Sequence, residues 1–359
     1  MSSPEIALLM STYQRPRHLR LALESILLQR DVAGRMELVV TDDGSTDETP
    51  EIVADFARRA PFRVAFTTHP HTTFRLSRSR NEGVRASTAP YILFLDGDCI
   101  LPPDHVAVHL ARRQRGTVMA GDFCRLDEAT SARVTPEVIR SGEFQSWGPA
   151  DELRRLRKRD RAARFYRFIR HPTRPKIIGN NVGIWRSDYE RVNGYDENFE
   201  GWGCEDDDLR ARLHASGVRI ASVLRWTHTF HLWHPTDVTT PAQWKQGANV
   251  NYFLRKGRLT RCRNGLVKRD LADLAVQVVG HSARPHDVAR LLAGRFAASS
   301  AEKAEVELLF LPGQGTFSGR ADCNVLVALD GAAVDARSAR RAHLTIAPTE
   351  LEQALAKVA

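Results

Sequence analysis

The amino-acid sequence predicts an α/β fold over its first hundred residues, a mainly parallel sheet flanked by helices. Three observations carry that prediction: uninterrupted apolar runs of strand length, amphipathic helical stretches between them, and Asp-rich turns where two of the runs end. Strands buried on both faces and joined by helices give this alternation, the signature of βαβ units. EIALLMS (5–11) reads as the first strand, and RPRHLRLALESILLQ (15–29) as a helix with Leu19, Leu23, Ile26 and Leu27 on one face. MELVVTDDGS (36–45) is a second strand running into a polar turn. Ser45-Thr46-Asp47-Glu48 then opens a helix to about Arg59, with a hydroxyl or Asp as N-cap. FRVAFTT (62–68) is a third strand, 77–87 a helix, and YILFLDGD (91–98) a fourth strand. Parallel sheets bind ligands beyond the C-terminal ends of their strands, and both TDDGSTD (41–47) and LDGDC (95–99) lie there.

The middle of the chain is less regular. A helix is expected near 104–115 and a strand near 117–124, followed by a basic segment, IIGNNVGIWR (177–186), an acidic motif within 193–217, and VLRWTHTFHLWHP (223–235). Beyond about residue 265, DLADLAVQVVG (270–280) and HDVARLLAGRFAA (286–298) read as helices. ELLFLPG (307–313) and NVLVALDG (324–331) read as strands, and LEQALAKVA (351–359) as a closing helix. Residues 266–359 therefore form a small accessory α/β region without a chemistry-bearing motif, following a larger domain over 1–265.

Of 359 residues, 42% are hydrophobic and 26% charged, an ordinary globular composition. No run of apolar residues is long enough for a transmembrane helix. The short apolar run at the N-terminus has no basic residues before it and no small-residue cleavage site, so a first strand and no signal peptide are expected. Five scattered cysteines never form a CxxC, which argues against a disulfide framework or zinc ribbon and fits a cytoplasmic setting. The net charge of +9 is concentrated in 151–176, which holds eleven Lys/Arg against three acids. No nucleic-acid-binding module surrounds that run, so nucleic acid is not expected as a partner. The alternatives are a solvated face, a phosphorylated substrate or peripheral contact with an anionic membrane, the inner face of the cytoplasmic membrane in particular.

The chemistry concentrates in two places. LDGDC projects Asp96 and Asp98 from a tight turn at a ligand-binding edge, where paired carboxylates suit a hard divalent cation. GWGCEDDDL (201–209) sets four carboxylates side by side after a Gly-Trp-Gly turn, a costly arrangement unless each has its own task. STYQR (11–15), VVTDDGSTD (39–47), RSRNEG (78–83) and YILFLDGDC (91–99) resemble the nucleotide-sugar-binding half of family 2 glycosyltransferases with the GT-A fold. NGYDENFEGWGCEDDDL (193–209) resembles the C-terminal motif of the galactosyltransferase and N-acetylgalactosaminyltransferase group. The resemblance covers roughly residues 4–240, with the motifs in family order.

That resemblance implies a Rossmann-like GT-A domain with a nucleotide-binding half (1–100) and an acceptor-binding half (101–265). It implies a hexosyltransferase that inverts configuration and uses a UDP-sugar, of galactose or N-acetylated type, on a glycan, lipid-linked or small-molecule acceptor. By the same implication Ser11 and Tyr13 flank the uracil, Tyr13 stacking on it, within a motif that also holds Arg15. Asp43 accepts the uracil N3–H, Arg80 reaches the uridine or diphosphate, and Asp96 sits near the ribose. Asp98 ligates the metal, joined by His231 or His234 or both, with Mn²⁺ favoured over Mg²⁺ because imidazole is the softer ligand. Trp202 forms a platform between donor and acceptor, Glu205 and Asp207 hold acceptor hydroxyls, and Asp206 is the catalytic base. A helix-start charge pair is the other reading of Asp207 and Asp208. Cys204 departs from the pattern, since the family often carries glycine there. The rival readings are a sugar nucleotidyltransferase, which would want a Gly-rich phosphate loop near the N-terminus, and a catalytically silent binding protein.

Overall fold

The computed structural model describes residues 3–236, 240–293, 297–298, 304–330 and 332–358. The chain divides into two compact units, Met1–Val250 and Asn251–Ala359. In the first, chain order runs β1 (Ile6–Thr12), α1 (Pro16–Leu27), β2 (Met36–Asp42), α2 (Thr49–Arg59), β3 (Val64–Thr68), α3 (Leu76–Ala86), β4 (Tyr91–Asp96) and β5 (Cys99–Ile100). It continues through α4 (His105–Arg112), β6 (Thr117–Ala120), β7 (Phe123–Arg125), α5 (Glu128–Arg133), α6 (Pro136–Ser141) and α7 (Ala150–Phe168). β8 (Asn181–Trp185), α8 (Arg186–Arg191), α9 (Glu205–Ala215), β9 (Arg219–Ser222) and β10 (Thr229–His231) complete it.

Seven strands form one sheet in the order β3-β2-β1-β4-β8-β6-β9. β1 to β4 are mutually parallel, and β8 alone runs against its neighbours β4 and β6. Ile6, Leu8 and Met10 of β1 pack with Leu38 and Val40 of β2, Leu93 of β4 and the inner face of α1 into the main core. Each such buried aliphatic side chain contributes about 2 kcal/mol of burial. On the opposite face of β2 a carboxylate is buried. Glu37 in β2 is fully buried, and its Oε1 accepts the backbone N–H groups of Thr88 at 2.6 Å and Ala89 at 2.8 Å while Oε2 takes Arg63 at 2.6 Å. A carboxylate so bonded ties the end of α3 to the start of β4, and removing it would strand buried donors.

The register of the parallel strands fixes the ligand edge. Ser11 pairs with Asp96 and Thr12 with Asp42, so the segments after β1, β2 and β4 emerge side by side. A small second sheet, β5-β10-β7, then folds over that edge.

Three expectations need correcting, one of them the helix read over 286–298, which is helical over Pro285–Leu292 while Ala297–Ala298 is a strand. α2 starts at Thr49 with no side-chain cap at Glu48; Ser45 is instead drawn back onto Asp42, and Asp47 Oδ1 accepts the Thr49 N–H at 2.9 Å. In the second unit, residues 270–280 are not a helix. A single 3₁₀ turn at Leu271–Asp273 leads into the strand Ala275–Val278, which pairs in parallel with Val306–Leu311. That run is too short for its period to distinguish helix from strand, and pairing in a sheet decides it. The sheet of this unit orders its strands as Ala297–Ala298, Ala275–Val278, Val306–Leu311, Cys323–Ala328 and Leu344–Ile346. Among the described residues no helix is long and apolar enough to cross a membrane.

Behind the sheet edge, α4 buries His105 and His109 completely, their rings 5.0 Å apart. His109 Nε2 bonds Asn181 Oδ1 at 3.0 Å and His105 Nδ1 bonds Thr227 Oγ1 at 2.7 Å. Burial pushes both imidazoles down, His109 to about 4. A depressed histidine binds its proton less readily in the folded state than in the unfolded chain. Its stabilising contribution is therefore full above pH ~6.5 and lost as pH falls through about 4. Urea unfolding of wild type should lose on the order of 3 kcal/mol over that window from His109 alone. His109→Gln, which keeps a donor for Asn181, should flatten the curve, whereas an identical acid limb in the variant would contradict the assignment.

Candidate active site at the C-terminal edge of the sheet

Asp96 ends β4, and Gly97 turns the chain so that its N–H reaches Ser11 O at 2.8 Å. Asp98 follows, buried, immediately before β5. The antiparallel pairing of His231 with Cys99 lays β10 alongside, and Leu232 N–H bonds Asp98 O at 2.9 Å. His234 Nε2 lies 3.2 Å from Asp98 Oδ2, and His231 Nε2 lies 3.6 Å from Asp98 Oδ1. The ligand atoms of the three residues lie within 4.8 Å of one another. His234 is oriented through Nδ1 by Pro235 O at 2.7 Å, the kind of outer contact that aims a metal-binding imidazole. Arg15 Nη1 closes the corner at 3.0 Å from Asp98 Oδ2. Burial opposes ionisation of Asp98, but the His234 hydrogen bond and the nearby His231 and Arg15 hold its carboxyl well below the usual range. Burial lowers His231, whereas the bond to Asp98 overcomes burial and raises His234. One carboxylate and two imidazoles, with open positions left for other ligands, fit an Mn²⁺ or Mg²⁺ ion.

Across the edge, Arg80 of α3 is one of the largest fully buried side chains. Its guanidinium bonds Tyr195 Oη at 3.1 Å, Asp206 Oδ1 at 3.1 Å and Asp96 Oδ1 at 3.5 Å. Burial works against its charge, and Tyr195 with Asp206 and Asp96 outweighs that and raises it. Assigned by resemblance to the uridine or diphosphate, Arg80 is here turned onto carboxylates. Asp206 also accepts the Tyr195 hydroxyl at 2.7 Å and the Gly179 N–H at 2.8 Å. Asp96 is raised to about 6, chiefly by burial.

The four carboxylates of α9 separate into distinct surroundings. Glu205 is raised to about 8 by burial and by the charge of Asp206, and its Oε2 is buried with no hydrogen-bond partner among the described residues. Asp207 pairs with Lys176 at 3.0 Å. Asp208 is buried and takes the Arg212 Nε–H at 2.7 Å, a lock within the helix. Like charges are adjacent in sequence, but helical geometry fans them apart, and the helix N-terminus favours all four. Trp202, 43% exposed, stands out from a turn in which Gly201, Gly203 and Cys204 have φ of 72°, 96° and 73°. Asn249 Nδ2 pins that turn through Gly203 O at 3.0 Å. Cys204 thus occupies a left-handed position that glycine takes without strain.

On the nucleotide side, the two acids of TDDGS divide their work. Asp42 organises the turn, accepting from Gly44, Ser45 and Thr68. Asp43 is buried and bonds His69 Nε2 at 2.7 Å, while His69 Nδ1 bonds Glu82 at 2.9 Å. Those two acids raise His69 to about 9. Tyr13 stacks on His71 with ring centroids 4.2 Å apart, and Ser11 Oγ sits 3.1 Å from Thr41 Oγ1. His69, His71, Glu82, Tyr195 and Gly179 are absent from the sequence-derived site. Tyr195 lay inside the quoted NGYDE motif without a role, and the His-Pro-His run after β3 was the signal for the other pair.

Residues 7–184 match the family model "Glycosyl transferase family 2", and residues 159–235 match "N-terminal domain of galactosyltransferase". Validoxylamine A glucosyltransferase of Streptomyces hygroscopicus subsp. jinggangensis is 28% identical over 232 residues, 60% of this chain and 52% of that protein. Chondroitin synthase of Escherichia coli is 24% identical over 61% of this chain and 33% of its own. Human beta-1,4-galactosyltransferase 4 is 28% identical over 28% of this chain and 30% of its own. The chain spans about half, or less, of the length of these curated relatives. Among solved structures, a mannosyltransferase from Pyrobaculum calidifontis in complex with GDP-Man and Mn²⁺ gives a TM-score of 0.45 at 17% identity, covering 65% of this chain and 58% of that one. S. aureus TarS in complex with UDP-GlcNAc gives 0.44 at 12% identity, over 65% and 60%.

A Cβ on Gly179 would run into the Arg80 guanidinium. Gly179→Ala should therefore expel Arg80 from between Asp96 and Asp206, at a cost of about 1–3 kcal/mol in urea unfolding. Wild-type stability in that variant would mean the guanidinium is not pinned there.

Proposed function

We propose that this GT-A domain, a glycosyl transferase family 2 domain continued by a galactosyltransferase-type segment, is a metal-dependent inverting hexosyltransferase. It moves a hexose or N-acetylhexosamine, of galactose type, from a UDP-sugar to an acceptor hydroxyl. The observation that carries this reading is that Arg80 joins Asp96, at the end of a nucleotide-side strand, to Asp206, at the start of α9. A donor seated over β1, β2 and β4 and an acceptor seated against α9 would meet there.

On the donor side Ser11, Tyr13 and Asp43 receive the uridine, with Asp43 held in place by His69. Asp98, His231 and His234 hold the divalent ion, Mn²⁺ or Mg²⁺, which when bound supplies positive charge beside the departing diphosphate. Arg15 adjoins that corner and donates to the diphosphate as its contact with Asp98 is released. Trp202 lies over the sugar, and Glu205 with Asp207 receives acceptor hydroxyls. Asp206 takes the proton of the attacking hydroxyl. The acceptor hydroxyl's oxygen forms the new bond to the anomeric carbon from the face opposite UDP, while the electron pair of the old C–O bond leaves with the diphosphate. Tyr195, Gly179 and Arg80 fix the Asp206 carboxylate so that its remaining lone pairs face the acceptor.

UDP release measured across a panel of UDP-sugars, with and without Mn²⁺, tests the reading. Turnover should need the ion and a hexose or N-acetylhexosamine donor. Asp98→Ala should lose activity by about 10³-fold or more, and added Mn²⁺ should restore EDTA-treated wild type but not the variant. Full turnover in EDTA would overturn the metal assignment, and no release from any UDP-sugar would overturn the reading itself.

A further inference from the structure

The eleven cations of 151–176 do not form one patch. The helix sorts them. On its inner side Arg155 and Arg159 both reach the buried Asp122 at 2.7 Å, and Leu156 and Ala163 enter the core or its margin. These arginines are structural, so a charge reversal at Arg155 would break the fold rather than probe a surface. The outer side carries Arg154, Arg157, Lys158 and Arg161, all exposed and in no ion pair among the described residues. Spacings of three and four keep them on one stripe. The same stripe continues into Phe165 and Phe168, with Ile169 beside them, and these are 57%, 86% and 46% exposed.

We propose that this outer face of α7 is a docking surface for an anionic lipid bilayer. Unpaired cations along a helix attract anionic headgroups, and large apolar side chains at its end enter the boundary between headgroups and acyl chains. A solvated basic face has no use for three exposed apolar side chains at its tip. A soluble polyanion would be served by the cations alone. Only a lipid surface rewards both sets of groups together.

The chain leaving this tip runs straight to the acceptor carboxylates. Pro172 O accepts from Arg210 at 3.3 Å, Lys176 pairs with Asp207, and Gly179 N–H bonds Asp206. A bilayer held at the tip would present lipid-linked glycans to that side of the site, a consequence that rests on the transfer reading above.

Co-sedimentation of the full chain with vesicles tests the docking without any turnover. Vesicles of phosphatidylcholine with about one-third phosphatidylglycerol should bind the protein, those of phosphatidylcholine alone should not, and salt should weaken the binding. Reversing Arg154, Arg157, Lys158 and Arg161 to Glu should weaken it by about 100-fold or more. Phe165→Ser, Phe168→Ser and Ile169→Ser combined, with every cation kept, should weaken it by about tenfold. Both variants should melt as wild type and release UDP from donor to water at the wild-type rate. Absence of wild-type binding to anionic vesicles would overturn the proposal. So would wild-type affinity in the aromatic variant, which would mark the stripe as a site for soluble polyanions such as an acidic polysaccharide.

Discussion

A buried guanidinium has to be answered by anions, and Arg80 draws its answers from both halves of the first unit. Asp96 comes from the end of β4, Asp206 from the first turn of α9, and the Tyr195 hydroxyl from the segment between α8 and α9. Taking such a charge out of water costs several kcal/mol unless it is paired, and here both terminal nitrogens find partners while Nε has none among the described residues. Each of these elements is therefore held at a set distance from the others. The backbone of Gly179 can approach because it lacks a side chain, and its N–H completes the Asp206 carboxylate. The acids that are crowded in sequence are tolerable because three of them meet a different cation, Asp206 with Arg80, Asp207 with Lys176 and Asp208 with Arg212.

The Asp98–His231–His234 corner, the candidate metal site, obeys a different constraint, strand register. Pairing Phe230 with Ile100 and His231 with Cys99 leaves Asp98 facing the imidazoles, and the next residues return His234 to the same carboxylate. A shift of one residue would turn His231 to the opposite face of the ribbon. β10 is only three residues long, so its place depends on neighbours as well: Trp233 N–H bonds Ser131 Oγ, and His18 bonds Trp233 O. The geometry of this candidate ion site is thus borrowed from α1 and α5, elements that carry none of its three residues.

Much of this was legible in the amino-acid sequence, for physical reasons that differ by element. β1, β2 and β4 read clearly because strands buried on both faces are continuous apolar runs, and the acids ending β2 and β4 stand where such a sheet binds ligands. Asp98 of LDGDC and His231 and His234 of THTFHLWHP, which the family resemblance had offered as ligands, are brought together by the fold. Partners brought in by tertiary packing were not legible. Nothing near Asp43 in sequence names His69, 26 residues on, and nothing near Arg80 names Asp206. The basic segment gave its net charge but not its two faces, because a run with cations on every side has no amphipathic period to read. The strand Ala275–Val278 is not legible as a strand because AVQV alone suits either period and only pairing with Val306–Leu311 decides it.

The central claim is that Asp206, immobilised by Arg80, Tyr195 and Gly179, takes the acceptor proton while the neighbouring Glu205 binds hydroxyls. Steady-state kinetics of Asp206→Asn and Glu205→Gln against the acceptor, with UDP affinity measured in parallel, separate the two roles. The account predicts that Asp206→Asn lowers kcat by about 10²–10⁴ with UDP binding near wild type, and that Glu205→Gln mainly raises the acceptor KM. The reverse pattern would move the base to Glu205, and near-normal turnover in both variants would contradict the account.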